Sequence, residues 1–144
     1  LMYIEDIKIG KDKLEVLSDF QKYLDNFKDI KKEEMIMLGF NDDCVYTFAD
    51  YVTKQSEENS AYIDVKEIIT KLKESKSKGC ILIHNHPNGV CIPTEIDVET
   101  TKQILKEFKK HKLLLIEHYT WTNGLLWGII NTSIKKDIYI KGAK

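Results

Sequence analysis

The sequence predicts an α/β fold in which a mixed β-sheet is flanked by helices on both faces. Residues 35–40 and 80–83 are continuous apolar runs, which are typical of buried strands. Two longer segments, which begin near residues 64 and 94, repeat their apolar residues at helical spacing. Because strands and helices alternate along much of the chain, strand-helix-strand crossovers are expected between hairpins.

The N-terminal third is predicted to contain three strands and one helix. Residues 3–9 read as a short strand, and residues 12–28 as an amphipathic helix. Its apolar face would consist of Leu14, Leu17, Phe20, Leu24 and Phe27. Residues 35–40 form a buried strand, and a turn at residues 41–43 leads to a second strand at 45–49. The polar residues 53–60 are expected to form an exposed loop.

Asp64 is a good N-cap for a helix that buries Val65, Ile68, Ile69 and Leu72, with Gly79 expected as its C-cap. A strand at 80–84 follows. Thr94 should begin another helix, which runs to about Lys110. Its inward residues would be Ile96, Thr100, Ile104 and Phe108. Strands are then predicted at 113–117, at 125–131 after the Asn123-Gly124 hairpin turn, and at 137–140.

The composition is that of one soluble globular domain over residues 1–144, with 42% hydrophobic and 31% charged residues. No apolar run approaches the roughly 20 residues that span a bilayer, and no secretory signal is evident. Cys44, Cys80 and Cys91 have no framework spacing, which favours a reducing, cytoplasmic setting.

The net charge of −1 does not predict a general polyanion binder. The charge is uneven, because residues 1–101 carry −7 and residues 102–144 carry +6. Every basic residue apart from the histidines is lysine. Since arginine is the better bidentate reader of guanine and phosphate, its absence argues mildly against sequence-specific DNA recognition.

The most informative segment is 84–97, which follows the apolar run of a buried strand. Strand alternation places His84 and His86 on one face and Asn85 on the other. Asp97 follows eleven residues later, in the first turn of the next predicted helix. Two imidazoles and a carboxylate, with one position left open, are typical of a catalytic zinc site. Asp97 on its own would also suit a helix-capping acid.

A hydrolytic zinc site also needs a carboxylate that accepts a proton from water. Glu33 and Glu34 precede the strand 35–40. Both faces of that strand are apolar, so periodicity does not choose between the two glutamates.

The run His84-x-His86-Pro87-x-Gly89, with Pro93-Thr94-x-x-Asp97, resembles the JAMM motif of the JAB/MPN metallopeptidases. The RadC-like branch of that family is similar over roughly residues 30–130, including 66–69, 81–87 and the pair Glu117-His118. The resemblance implies a three-layer architecture similar to that of cytidine deaminases. Thr94 replaces the usual serine, and Asn88, Val90 and Glu117 also depart from the family pattern. Because the ligand set is intact, these differences concern the substrate and the efficiency of the reaction more than metal binding.

The resemblance implies a Zn²⁺ ion held by His84, His86 and Asp97 together with a water molecule. An ungapped match to the family, fixed at Glu67 and His84, favours Glu34 over Glu33 as the general acid/base. Thr94 would help to bind the oxyanion that forms when water attacks a carbonyl. His118 is a candidate for contacting the metal ligands without binding the metal itself.

The leading functional hypothesis is a zinc-dependent hydrolase that cuts an amide or isopeptide bond in a peptide or protein. The alternative is a RadC-like module of DNA repair or mobile elements, which binds nucleic acid or protein partners. A metal-free binding scaffold is a third possibility, which the complete ligand set disfavours. No membrane partner is expected, and the sequence does not give the oligomeric state.

Overall fold

The computed structural model describes residues 1–57 and 60–135, and the side chains of all of these except residues 55–57, 60 and 61. It contains two α-helices, α1 (Val65–Glu74) and α2 (Glu95–Lys110). Its strands are β1 (Met35–Phe40), β2 (Tyr46–Tyr51), β3 (Thr53–Glu57), β4 (Ser60–Ile63), β5 (Gly79–Asn85), β6 (Leu114–Thr122) and β7 (Leu125–Gly128).

Five of the strands form one mixed sheet in the order β2-β1-β5-β6-β7. The pair β5 and β6 is parallel, with α2 in the connection between them, and the other neighbouring pairs are antiparallel. The predicted mixed α/β fold is therefore confirmed. Strands β3 and β4 form a separate antiparallel hairpin.

Each face of the sheet buries its own hydrophobic core, because successive residues of β1 and β5 point to opposite sides. The core on the face covered by α1 and α2 includes Met35, Met37, Cys80, Leu82, Ile68, Leu72, Ile104 and Phe108. The core on the other face includes Ile36, Leu38, Ile81, Ile83, Phe20, Leu24 and Phe27. We call these the α-helical face and the N-terminal face.

The N-terminal face is covered by short 3₁₀ helices, so the predicted strand at 3–9 and the predicted α-helix at 12–28 are wrong. The 3₁₀ helices span Ile4–Asp6, Leu17–Tyr23 and Asp25–Phe27. Aspartates begin new turns along residues 1–28, because their carboxylates accept backbone N–H groups from three positions earlier. Asp6 accepts from Tyr3 N at 2.7 Å, and Asp19 accepts from Val16 N at 3.0 Å.

Residues 53–60, predicted as a loop, belong instead to the β3–β4 hairpin. Gly79 is also not a helix C-cap, since α1 ends at Ser75 and Gly79 begins β5. A Cβ atom at Gly79 would lie 2.3 Å from the carbonyl oxygen of Leu114 on β6. Glycine is needed there for the close approach of two parallel strands.

Helix α2 begins after Thr94 as predicted, but its buried residues are Thr101, Ile104 and Phe108. Ile96 is 77% exposed and lies outside the core. The strand predicted at 125–131 ends early at Gly128 and is followed by a π-helical turn, Ile130–Ile134.

Glu117 stabilises that turn, because its carboxylate accepts the N–H groups of Ile130 and Asn131 at 2.7 and 3.0 Å. The predicted strand at 137–140 lies outside the described residues. Within residues 1–57 and 60–135, no helix has the length and apolar character that crossing a membrane requires.

Candidate metal centre

Strand β5 brings the two histidines of the motif to one place at its C-terminal end. His84 shares the α-helical face with Leu82, and it pairs across the sheet with Met35. His86 follows the strand and stays beside β6, where its N–H donates to Trp121 O at 2.8 Å. The hydroxyl of Thr122 donates to the carbonyl oxygen of His86 at 2.6 Å. Both imidazoles are therefore held by the sheet and not by a free loop.

Asp97 is fixed by the reciprocal cap that begins α2. The backbone N–H of Thr94 donates to Asp97 Oδ2 at 2.8 Å, and Asp97 N–H donates to Thr94 Oγ1 at 3.2 Å. The carboxylate also reaches the histidines, with Oδ1 at 3.3 Å from His84 Nε2 and Oδ2 at 3.2 Å from His86 Nε2. Capping and ligand geometry thus coexist in one residue.

Glu33, the residue before Glu34, completes the group. Glu33 precedes Met35 by two residues, so alternation places it on the face of His84. Its Oε1 lies 3.8 Å from His84 Nε2. Glu34 instead accepts a hydrogen bond from the Thr53 hydroxyl, and its backbone N–H donates to Asn85 Oδ1 at 2.7 Å.

Among the described residues, four side chains place one ligand atom each within 4.8 Å of all the others: Glu33, His84, His86 and Asp97. The two histidines are buried, and the side chains of Glu33 and Asp97 are only 13% and 14% exposed. The Nε2 atoms of the two histidines lie 2.9 Å apart. The structure thus brings together the three predicted metal ligands and adds Glu33 to them.

The electrostatics of the cluster favour a positive charge at its centre. Burial raises the pKa of Asp97, but hydrogen bonds with His84 and His86 outweigh burial and hold that pKa well below its usual range. Burial lowers the pKa of His86, while its hydrogen bonds with Asp97 and Val90 O raise it, and the net shift is upward. Either a proton or a metal ion among these atoms would supply that positive charge.

His86 presents its lone pair to that centre. Its Nδ1 lies 2.7 Å from the carbonyl oxygen of Val90, which can only accept a hydrogen bond. Nδ1 therefore carries the proton, and in neutral His86 the lone pair belongs to Nε2. Facing lone pairs and carboxylate oxygens at about 3 Å repel each other unless a cation lies between them. The donor set therefore fits a divalent metal that accepts nitrogen and oxygen ligands.

His118 lies directly behind the cluster, on β6. Its Nε2 is 2.8 Å from His84 Nδ1, and its Nδ1 is 2.7 Å from the hydroxyl oxygen of Thr101 on α2. His118 is 1% exposed. Burial, followed by repulsion from His84, lowers its pKa well below the ordinary value, which disfavours the charged imidazolium form.

A cavity of about 350 Å³ opens onto the cluster. Its lining includes Thr94 and the apolar residues Met35, Val90, Ile92 and Ile96. Because the Thr94 oxygen accepts the Asp97 N–H, its own hydroxyl hydrogen is able to donate into the cavity. A substrate group that enters here would meet apolar walls and a few polar atoms.

Cys91, His111 and Trp121 are not among the four clustered residues. The Cys91 sulfur contacts the Thr120 carbonyl oxygen and hydroxyl at 3.8 and 3.6 Å. His111 follows the last residue of α2, at the end of the helix far from Asp97, and its Nδ1 lies 2.7 Å from Lys73 Nζ. Trp121 packs against Phe27 with ring centres 5.4 Å apart.

Sequence reasoning did not identify Thr101 and did not favour Glu33. The register of β1 against β5 contains the missing signal for Glu33, since Met35 pairs with His84 and alternation carries that face back to residue 33. Thr101 lies four residues after Asp97 on α2, one helical turn further along the same face. Helical spacing from Asp97 could therefore have suggested it.

The buried His/Asp/Glu cluster lies at the end of a parallel strand pair in a mixed α/β fold, and its donor atoms are compatible with a metal ion. The family profile of the RadC-like JAB domain matches residues 14–126. The chain therefore belongs to the RadC-like JAB domain family.

Curated relatives are similar to the chain at low identity. A UPF0758 protein of Fusobacterium nucleatum is 28% identical over an alignment that covers 93% of this chain and 60% of the relative. A UPF0758 protein of Photobacterium profundum is 27% identical over 71% of this chain and 46% of its own length. One of Chloroflexus aurantiacus is 30% identical over 46% of this chain and 29% of its own. The chain thus spans 60% or less of the length of these relatives.

Proposed function

We propose that the chain is a zinc-dependent hydrolase of the JAMM type, which cuts an amide or isopeptide bond in a peptide or protein. The observation that carries the proposal is the convergence of Glu33, His84, His86 and Asp97 within 4.8 Å. The cluster is largely buried, yet it faces a cavity that a substrate could enter. Candidate active sites commonly combine these features.

In this proposal His84, His86 and Asp97 hold the metal, and Glu33 is left for proton transfer. Two neutral imidazoles and one carboxylate are a typical catalytic zinc set, because they leave a coordination position open. Zinc, when bound, lowers the pKa of a water molecule to about 7 and polarises a carbonyl group. The remaining chemistry belongs to side chains of this protein.

Glu33 is the proposed general acid/base. Its Oε1 lies 3.8 Å from His84 Nε2, at the margin of the three ligands. Burial raises the pKa of Glu33, an effect that His84 and His86 partly offset. A raised pKa suits a carboxylate that must accept a proton from water and return it to the leaving amine. Glu34, which resemblance favoured, is positioned on the N-terminal face beside Thr53 and Asn85.

Thr94 is proposed to donate a hydrogen bond to the oxygen that becomes negative as the carbonyl is attacked. Its hydroxyl is fixed by the Asp97 N–H at 3.2 Å and lines the same cavity as the cluster. A donor placed before the reaction begins needs no reorganisation as charge develops. Serine would retain this donor, whereas valine would remove it.

The substrate is proposed to be a peptide chain with an apolar residue close to the cleaved bond. Val90, Ile92 and Ile96 are 52%, 59% and 77% exposed around the cavity, so an apolar side chain would bury surface against them. We propose that the protein acts in the reducing cytoplasm, in keeping with its three unpaired cysteines.

The test is hydrolysis of a defined peptide mixture in ¹⁸O-labelled water, read by mass spectrometry. Zinc-loaded wild type should generate new peptide carboxylates that contain ¹⁸O. Glu33→Gln should retain zinc and lose about 100- to 10,000-fold in turnover, as expected for removal of a general acid/base. Glu34→Gln is the matched control, because it changes the neighbouring glutamate on the other face of the sheet.

Full turnover in Glu33→Gln together with loss in Glu34→Gln would reverse the assignment. If zinc-loaded wild type cleaves nothing but binds DNA with an affinity that falls steeply with salt, the nucleic-acid alternative would be favoured.

A further inference from the structure

We propose that Thr101 and His118 form a chain of hydrogen bonds, here called the relay, that fixes the tautomer of His84. The Nε2 lone pair of His84 then points at the metal position before a metal ion binds. The inference rests on the proposed metal site and identifies two positioning residues for it. The relay consists of three consecutive contacts, from the Asp97 carbonyl oxygen through Thr101 and His118 to His84. All of its side chains are buried: Thr101 is 0% exposed, and both His84 and His118 are 1% exposed.

The direction of the first contact is set by chemistry. The Thr101 hydroxyl lies 2.7 Å from the backbone carbonyl oxygen of Asp97, which can only accept. Thr101 has one hydroxyl hydrogen, and this contact uses it. At the second contact, 2.7 Å from His118 Nδ1, the Thr101 oxygen must therefore accept, and His118 Nδ1 must carry a hydrogen.

The second and third contacts follow from the first. A neutral imidazole with a hydrogen on Nδ1 has a lone pair on Nε2. His118 Nε2 lies 2.8 Å from His84 Nδ1, so it accepts a hydrogen from that atom. His84 then has its hydrogen on Nδ1 and its lone pair on Nε2, the atom that lies 3.3 Å from Asp97 Oδ1.

The two metal-binding histidines are thus oriented by different means. The backbone carbonyl of Val90 fixes His86 directly at 2.7 Å and cannot be removed by a side-chain substitution. His84 depends on two side chains, Thr101 and His118. Groups that orient a ligand in this way typically contribute roughly 10- to 100-fold to metal affinity.

The relay also couples the metal site to the start of α2. The Asp97 backbone carbonyl accepts from Thr101, while the Asp97 side chain faces both histidines. Asp97 therefore contacts both ends of the relay, Thr101 through its backbone carbonyl and His84 through its carboxylate. Helix α2 and strands β5 and β6 are joined through this closed set of contacts around the site.

The most direct test is a long-range ¹H–¹⁵N NMR spectrum of the metal-free wild type at mildly alkaline pH, which reports the tautomer of each histidine. His84 and His118 should both carry hydrogen on Nδ1. His111 is an internal reference of the opposite kind, since Lys73 Nζ donates to its Nδ1 at 2.7 Å and leaves the hydrogen on Nε2. A hydrogen on His84 Nε2 in the wild type would overturn the proposal.

Substitutions test the relay through zinc affinity, measured by competition with a chelator. His118→Phe removes the acceptor for His84 and should weaken zinc binding by roughly 10- to 100-fold. His118→Gln restores a carbonyl acceptor and should recover part of that loss. The relay would be contradicted if His118→Phe bound zinc as tightly as the wild type. It would also be contradicted if His118→Phe and His118→Gln were both folded and bound zinc equally weakly.

Thr101→Val provides a second variant in case His118→Phe fails to fold. It keeps the shape of the side chain and removes the oxygen, so His84 should show a mixture of tautomers and weaker zinc binding. Thr70→Val is the matched control, because Thr70 makes the same hydrogen bond to the residue four positions earlier, at 2.9 Å to Lys66 O, away from the site. An unchanged His84 tautomer in Thr101→Val would contradict the proposal.

These readouts separate the relay from the proposed hydrolase. The tautomer is measured without metal and without substrate. A wild type that binds zinc but shows His84 with hydrogen on Nε2 would defeat the relay alone. A wild type with the expected tautomer but no zinc affinity would defeat the proposed function and leave the proton order of the metal-free protein established.

Discussion

The two faces of the sheet use adjacent residues at the same strand ends in different ways. On the α-helical face, Glu33 and His84 belong to a cluster of ligand atoms within 4.8 Å of one another. On the N-terminal face, Glu34 and Asn85 make contacts that join strand ends. The N–H of Glu34 donates to Asn85 Oδ1 at 2.7 Å, and Asn85 Nδ2 donates to the Lys32 carbonyl oxygen at 2.9 Å.

This difference shows how a strand end can hold a reactive group in place. Asn85 ties residues 32–34 to β5 on one face, so that Glu33 is carried close to His84 on the other. Because successive residues of a strand point to opposite faces, neighbouring residues supply both the ligand cluster and the contacts that join the strand ends. The comparison predicts that substitutions of the clustered residues on the α-helical face change metal binding, whereas substitutions of the bracing residues on the N-terminal face change stability.

The largest effect is expected from His84→Ala. This substitution removes one of two imidazoles, and the proposed site would retain only His86 and Asp97 as strong ligands. Zinc affinity should fall by more than about 100-fold, beyond the loss expected for a residue that only orients a ligand. Titration of the metal-free protein in competition with a chelator measures it. An affinity close to that of the wild type would contradict the assignment of His84 as a metal ligand.

A smaller effect, on stability, is expected from Asn85→Ala. The substitution leaves the Glu34 N–H and the Lys32 carbonyl without their partner at a part-buried position. The free energy of unfolding in urea should fall by about 1–3 kcal/mol, while zinc binding at saturation is retained. Asn85→Asp keeps an acceptor for Glu34 N–H and should lose less. Unchanged stability in Asn85→Ala would show that this face does not brace the strand ends.

The smallest effect on stability and metal binding is expected at Thr94. Thr94→Val removes a cap hydroxyl and should reduce the free energy of unfolding by about 1 kcal/mol. Zinc content should not change, because the backbone N–H of residue 94 still donates to Asp97 Oδ2, a contact of 2.8 Å. Thr94→Ser should match the wild type in stability and in turnover, whereas Thr94→Val should lose turnover. Loss of zinc in Thr94→Val would show that the side chain itself positions the carboxylate.

Sequence periodicity was sufficient where one strong pattern decided the outcome. The apolar runs of β1 and β5 and the capped starts of α1 and α2 lie close to their predicted positions. His84 and His86 lie near Asp97 because the end of a strand and the start of the next helix are adjacent in a strand-helix-strand crossover. Local sequence specifies that arrangement.

Periodicity failed where one spacing of apolar residues fits two kinds of secondary structure, or where tertiary contacts determine the structure. Phe20, Leu24 and Phe27 are buried as predicted, but intervals of three and four residues fit 3₁₀ turns as well as an α-helix. The segment 53–57 lacks the apolar alternation that marks a strand. Glu33 required the register of β1 against β5, which sequence spacing alone does not supply.

The proposed function requires that His84, His86 and Asp97 bind one divalent metal ion. The most direct measurement is the zinc content of extensively dialysed wild type, His86→Ala and Asp97→Ala, together with their urea unfolding curves to show that each is folded. We expect about one zinc per chain in the wild type and a large loss in both variants. Equal zinc content in the three folded proteins would contradict the claim.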